Sequence, residues 1–412
     1  MKSSSRFQAG FTLVELMVST AIIGLIMLVL VGMTNQTSQT WKNTAEKIEK
    51  FQEARDGFES MTRKLSQATL NTNWDYLDSA GAPRDKNVGS AAFNAFVPIF
   101  YGRTSDLRFV SGPMRSTSFS LDSSMVRPGH GIFFQAPFGV VADTTDYAAM
   151  DNLLNTWGYF VEAGNDPSRP QFVETAGVPG RWRSRLMEYM LPAEQMSLYD
   201  KSDKSYTWFT LHLNDATARP VRVLAENVIT LIILPRLSKG DEDYRAKTQG
   251  SVQAAMLSPQ YIYDSFPILP ALYNPGAVPG SDGGMINPKN QLPPILTVTM
   301  VAVDERSAQR LADTYCTGAQ SQAQHAHGSQ RVTGSGSEML MGLDQAAGKV
   351  NPPVIYQNLF TDATRLEDNP NTATPGDGDL YDLERVLTNE KCTYRVFTSN
   401  VSIRGAKWSR VK

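Results

Sequence analysis

Residues 11–33 carry a single charged side chain, Glu15, in an otherwise apolar run that opens Phe11-Thr12-Leu13-Val14-Glu15-Leu16 and closes at Met33. At about 1.5 Å of rise per residue, such a run is long enough as a helix to cross a hydrocarbon core of about 30 Å. A carboxylate inside it is costly unless it lies near the edge or meets a positive charge. Glu15 stands four residues past Phe11, and the obvious cation is an α-amino group freed by cleavage between Gly10 and Phe11. A secretory signal would have a shorter apolar core followed by a small-x-small cleavage site, and Val31-Gly32-Met33 is a poor one. A plain membrane anchor fits the length but leaves Glu15 and its Gly-Phe-Thr-Leu context unexplained.

The segment Gly10-Phe11-Thr12-Leu13-Val14-Glu15 resembles the cleavage and methylation signature of type IV prepilins and type II secretion pseudopilins. The resemblance implies that residues 1–10 are a leader removed after Gly10 by a prepilin peptidase/methyltransferase. It further implies that Phe11 becomes the N-methylated terminus, and that Glu15 meets the N-terminal amine of a neighbouring subunit during assembly. Lys2 and Arg6 put positive charge on the side that would stay cytoplasmic. Implied partners are the inner membrane, the processing enzyme and other pilins or pseudopilins. The implied precursor is single-pass in the inner membrane, with a cytoplasmic leader and a head in the periplasm or in an extracellular filament.

No proline occurs before Pro83, so the helix is expected to continue past Met33 to about Ala68. Trp41, Ala45, Ile48, Phe51, Ala54, Phe58, Met61, Leu65 and Ala68 recur at steps of three and four, the stripe of an amphipathic helix. The expected organisation is a leader at 1–10, a transmembrane half-helix at 11–33, an amphipathic half-helix at 34–72 and a β-rich head at 73–412. Strands are expected at 95–101, 106–110, 116–121, 131–135, 158–162, 206–213, 228–234, 295–303 and 394–404, and helices at 183–190, 305–315 and 381–389. The fold class is therefore α+β, a long N-terminal helix packed on an antiparallel sheet. Residues 237–250, 271–291 and 318–348 are polar or rich in Gly, Pro and Gln, and are expected as long loops.

Other segments narrow the resemblance. Leu224-Ala225-Glu226-Asn227-Val228 before an apolar strand is similar to the second half of J-type minor pseudopilins. With Tyr394-Arg395-Val396-Phe397 and Arg404-Gly405-Ala406-Lys407-Trp408-Ser409, the chain is similar to the prepilin-like Verru_Chthon cassette protein C family. That resemblance implies processing and export and says nothing of cargo.

Catalytic chemistry is not signalled. The net charge of −2 and the lack of a Lys/Arg cluster give no nucleic-acid surface. No nucleophile elbow, zinc-protease helix or phosphate-binding glycine loop occurs. His325 and His327 have ligand-like spacing in a Gln/Ser-rich stretch, where a solvated pair is the simpler reading. Asp377, Asp379 and Asp382 could hold calcium, but the full calcium-loop pattern is absent and helix capping together with Glu384 explains the same residues. No cofactor is expected. Cys316 and Cys392 form either one disulfide outside the cytoplasm or two buried thiols. Tyr and Trp at strand spacing read as core.

The reading is a minor pilin or pseudopilin-like structural subunit and not an enzyme, because a head this large suits a rare position better than a tightly repeated one. A filament-tip adhesin or substrate-binding module is the alternative, and exposed aromatic clusters would favour it. A membrane-tethered envelope enzyme comes third and would need a pocket of convergent titratable groups.

Overall fold

The computed structural model describes residues 12–79, 83–85, 87–114, 119, 121, 127–147, 152–165, 171–175, 182–197, 206–215, 218–236, 262–266, 290–315, 343–344, 349–350, 383–384, 387–388 and 391–406. The chain divides into two compact units, Met1–Lys50 and Phe51–Lys412. Helix α1 runs Leu13–Leu65, close to the expected span. It ends where Gln67 and Ala68 turn their amide N–H groups back to the carbonyls of Lys64 and Leu65, at 3.0 and 3.1 Å.

In the first unit, the apolar side chains from Leu13 to Met33 are exposed, Leu28 at 75%. Stripped of lipid or partners, such a surface is unfavourable in water. The helix is long and apolar enough to cross a membrane.

The second unit is built on antiparallel sheets. Six strands, β3 (Val110–Pro113), β4 (His130–Pro137), β5 (Leu154–Asn165), β6 (Trp182–Leu191), β7 (Val221–Glu226) and β9 (Tyr263–Asp264), lie in the order β7-β6-β5-β4-β3-β9. Three more, β8 (Val228–Arg236), β10 (Ile295–Val303) and β13 (Tyr394–Ser402), lie in the order β13-β10-β8. A ribbon pairs β1 (Asn73–Leu77) with β2 (Phe100–Thr104), and a short hairpin pairs β11 (Leu343–Asp344) with β12 (Lys349–Val350).

Side-chain parity explains how the six-stranded sheet is covered. Ile132, Phe134 and Ala136 of β4 with Trp157, Tyr159 and Val161 of β5 face one way. They pack with Ala54, Phe58, Met61 and Leu65 of α1 and with Leu231, Val298 and Met300 of the smaller sheet. Phe133, Phe160, Met187 and Tyr189 face the other way, where Trp208, Phe209 and Leu213 of helix α2 (Thr207–Leu213) cover them. Both faces are dry, so the central strands read as apolar runs without clean alternation.

Two assignments reverse. Residues 206–213, expected as a strand, form α2, because Phe209 and Leu213 are buried four apart while Leu211 between them is 62% exposed. Residues 183–190, expected as a helix, lie in β6, where the buried charges Arg183, Arg185 and Glu188 break up the strand pattern. Two boundaries also shift. The strand expected at 106–110 starts only at Val110, since the side-chain oxygen of Asn71 takes the amides of Asp106 and Leu107 at 2.9 and 3.1 Å. That expected at 95–101 starts at Phe100.

The remaining expectations land close to place. Residues 295–303 are β10 and 305–315 are helix α3 (Glu305–Tyr315), which Asp304 caps by accepting the Ser307 N–H at 2.9 Å. Of 116–121, expected as a strand, only Phe119 and Leu121 are described; both are buried, but Phe119 is helical and neither lies in a strand. Apart from 290–291 and 343–344, the three long polar stretches lie outside the described residues, as does most of 381–389.

Candidate functional site

At the start of α1, Thr12 and Glu15 grip each other. Glu15 Oε2 accepts the Thr12 backbone N–H at 2.9 Å and the Thr12 hydroxyl at 2.8 Å, while the Glu15 N–H donates to Thr12 Oγ1 at 3.3 Å. This is a reciprocal capping box, and the Thr-x-x-Glu spacing that announces it is plain in the sequence. The carboxylate is thereby held at the first turn, where helix N–H groups favour negative charge. The amide it accepts is that of Thr12, the residue that follows Phe11 in the sequence. Gly10 and Phe11 themselves lie outside the described residues.

Of the cysteine pair, Cys392 is buried and receives Arg310 Nη2 at 3.7 Å from its sulfur, while Cys316 lies outside the described residues. His325, His327, Asp377, Asp379 and Asp382 lie outside them too. Among the described residues, no three His, Cys, Asp or Glu side chains converge as a metal site.

Buried charge concentrates where α1 meets β5 and β6. Glu188 is fully buried and accepts Lys64 Nζ at 2.7 Å, Trp157 Nε1 at 2.7 Å and the Tyr159 hydroxyl at 2.8 Å, with Arg222 on its other oxygen. Burial alone would raise the Glu188 pKa, but hydrogen bonds from Lys64, Tyr159 and Trp157 and the Lys64 charge hold it below the ordinary value. The same burial raises that of the Tyr159 phenol, which stays protonated as a donor. Glu188 thus has protein partners on both carboxylate oxygens, and they tie α1 and β5 to β6 and β7.

Comparison with known families decides the character of the N-terminal segment: residues 5–31 match the prokaryotic N-terminal methylation motif. This end of the chain is type IV pilin-like. The motif marks precursors that prepilin peptidase processes and that assemble with other pilins, and the apolar helix behind it fits a membrane-anchored precursor. No curated protein and no solved structure matches the chain.

The second unit also carries a surface that the sequence did not announce. Trp74, Tyr76 and Tyr101 are 55%, 60% and 58% exposed, although aromatic residues at strand spacing were expected in the core. Trp74 and Tyr76 alternate along β1, and the register sets Tyr76 opposite Tyr101 and Trp74 opposite Arg103. All four side chains therefore stand on one face of the ribbon. The Trp74 and Tyr101 rings stack at 5.6 Å between centroids with 22° between planes, and Tyr76 lies 5.2 Å from Tyr101. The Arg103 guanidinium lies 5.7 Å from the Trp74 ring centre. Alternation of aromatic and polar residues at 73–76 was the available signal, but it does not say which face meets solvent.

Proposed function

We propose that the chain is a minor pilin or pseudopilin-like subunit, related to J-type minor pseudopilins and to the Verru_Chthon cassette protein C family. In this reading the leader is removed after Gly10, Phe11 is N-methylated, and Glu15 pairs with the N-terminal amine of an adjacent subunit. The observation that carries it is the methylation motif over residues 5–31 at the head of an exposed apolar helix. The large second unit, Phe51–Lys412, supports a rare position over a repeated one. Cys316 and Cys392 form either one bridge once the head is outside the cytoplasm or two buried thiols, which non-reducing peptide mapping distinguishes, and no cofactor is part of the reading.

Mass analysis of the membrane-derived protein tests it: the mature chain should begin at methylated Phe11. A chain that keeps Met1, or that starts beyond Met33, overturns the processing. Equal stoichiometry with a major subunit in purified filaments overturns the minor position. A second reading, a filament-tip adhesin or substrate-binding module, is favoured by one observation, the exposed rings of Trp74, Tyr76 and Tyr101.

A further inference from the structure

We propose that the aromatic face of the β1–β2 ribbon binds a neutral polysaccharide, its sugar rings stacking on Trp74, Tyr76 and Tyr101. The inference rests on the second reading above, that the head is a binding module, and not on how the N-terminus is processed.

Three large aromatic side chains held in contact with one another in water form a contiguous patch, and such patches mark interaction sites more often than singly exposed residues do. The ribbon is presented rigidly. Asn71 Oδ1 accepts the Ser105 hydroxyl at 2.9 Å along with the two amides beyond it. Asn290 Nδ2 donates to the Arg103 carbonyl at 2.6 Å, and Leu77 is buried beneath the ribbon. A platform fixed in advance loses little freedom when a ligand lands on it.

Charge and area select the ligand. A nucleic acid or an acidic polymer needs several cations, and among the described residues this face shows one, Arg103, on a chain of net charge −2. A protein partner or a second copy needs about 800 Å² from each side, whereas three rings a little over half exposed offer about 250–450 Å². A sugar ring needs only one aromatic face. Its C–H hydrogens carry partial positive charge and are drawn to the negative π-face, as ring edges are in aromatic pairs. The Tyr76 and Tyr101 hydroxyls stand at hand for the sugar hydroxyls. The extended array of rings suits a chain of sugars more than a single one.

The test is affinity electrophoresis of the full-length protein in detergent through gels containing soluble β-glucan, xylan or mannan, with heparin and single-stranded DNA in parallel gels. At least one neutral polysaccharide should retard the wild type. Trp74→Ala and Tyr101→Ala should each weaken that retardation at least tenfold without moving the melting temperature, and Trp74→Phe should keep most of it. Failure of every neutral polysaccharide to retard the wild type overturns the proposal, as does retardation unchanged in the Trp74→Ala/Tyr101→Ala double variant. Retardation by heparin or DNA alone, lost in the same variants, assigns the face to polyanions and overturns it too. So does self-association in sedimentation that these variants abolish. Running the uncleaved Gly10→Val protein alongside separates the two ideas, since sugar binding should survive there whether or not processing occurs as proposed.

Discussion

Lys64, at the end of α1, and Glu188, in the middle of β6, meet at 2.7 Å with the carboxylate fully buried. The pair stitches the helix to the sheet at the rim of the main core. Lys64→Met removes a charged donor, yet Arg222 still faces the same carboxylate. The expected loss is about 1–3 kcal/mol of unfolding free energy, read by urea titration. Because the folded-state pKa of Glu188 is held down, its contribution is present above the unfolded value near 4.5 and is lost as pH falls through the lower folded value. Glu188→Gln should remove that acid-side dependence, and an unchanged slope on the acid side would refute the assignment.

Asp264 has the opposite sign. Burial pushes its pKa up to about 7, against the Phe266 amide at 2.7 Å, the Tyr206 hydroxyl at 3.2 Å and the charge of Arg108, which all favour the ionised form. The folded state thus holds a proton that the unfolded chain releases near 3.8, so stability should fall as pH rises from about 4 to 7. Asp264→Asn should flatten that decline. Unfolding midpoints at pH 5 and pH 7.5, compared between wild type and variant, decide it.

Gly158→Ala should destabilise by about 1–3 kcal/mol through overpacking. A Cβ there would come within 2.4 Å of Phe133 Cδ1 and 2.9 Å of the Ile132 carbonyl oxygen. Phe133 cannot swing aside, since its ring stacks on Phe209 at 3.9 Å. Thermal unfolding of the variant checks this, and an unchanged midpoint would mean that the sheet yields where the contacts say it cannot.

Thr12 and Glu15 can be separated by substitution. Glu15→Ala should impair cross-linking to neighbouring pilins while cleavage proceeds, if the carboxylate pairs between subunits. Thr12→Val loses the hydroxyl that holds the carboxylate but keeps the charge, so its cross-linking should be reduced less than that of Glu15→Ala. Equal loss in both variants would reduce Glu15 to a helix cap.

Local signals recovered α1 and β10 because each has a strong period or a clear boundary, the unbroken apolar run and the stretch after Pro293-Pro294, and α3 also lies where it was expected. They failed where tertiary context outweighed propensity. Trp208 and Phe209 favour strands on their own, yet the apolar face of β4 to β6 beneath them is covered by one short helix. Arg183 and Glu188 hid a central strand, because their partners, Glu305 and Lys64, come from 122 and 124 positions away. At the N-terminus the motif was legible and the capping geometry equally so, since both are local. The aromatic face was not, because exposure depends on what the rest of the chain leaves uncovered.

One residue, Asn227, separates β7 in the larger sheet from β8 in the smaller, and it takes the corner with φ of 58°. Its side chain donates to Glu305 at 2.9 Å, and Glu305 also binds Arg183 of β6. With no slack at the junction and a polar clamp across it, tension entering through the Phe51–Leu65 stretch of α1 would load both sheets together. Pulled from that end, the second unit should give way in a single rupture, with no earlier, weaker event in which one sheet peels from the other.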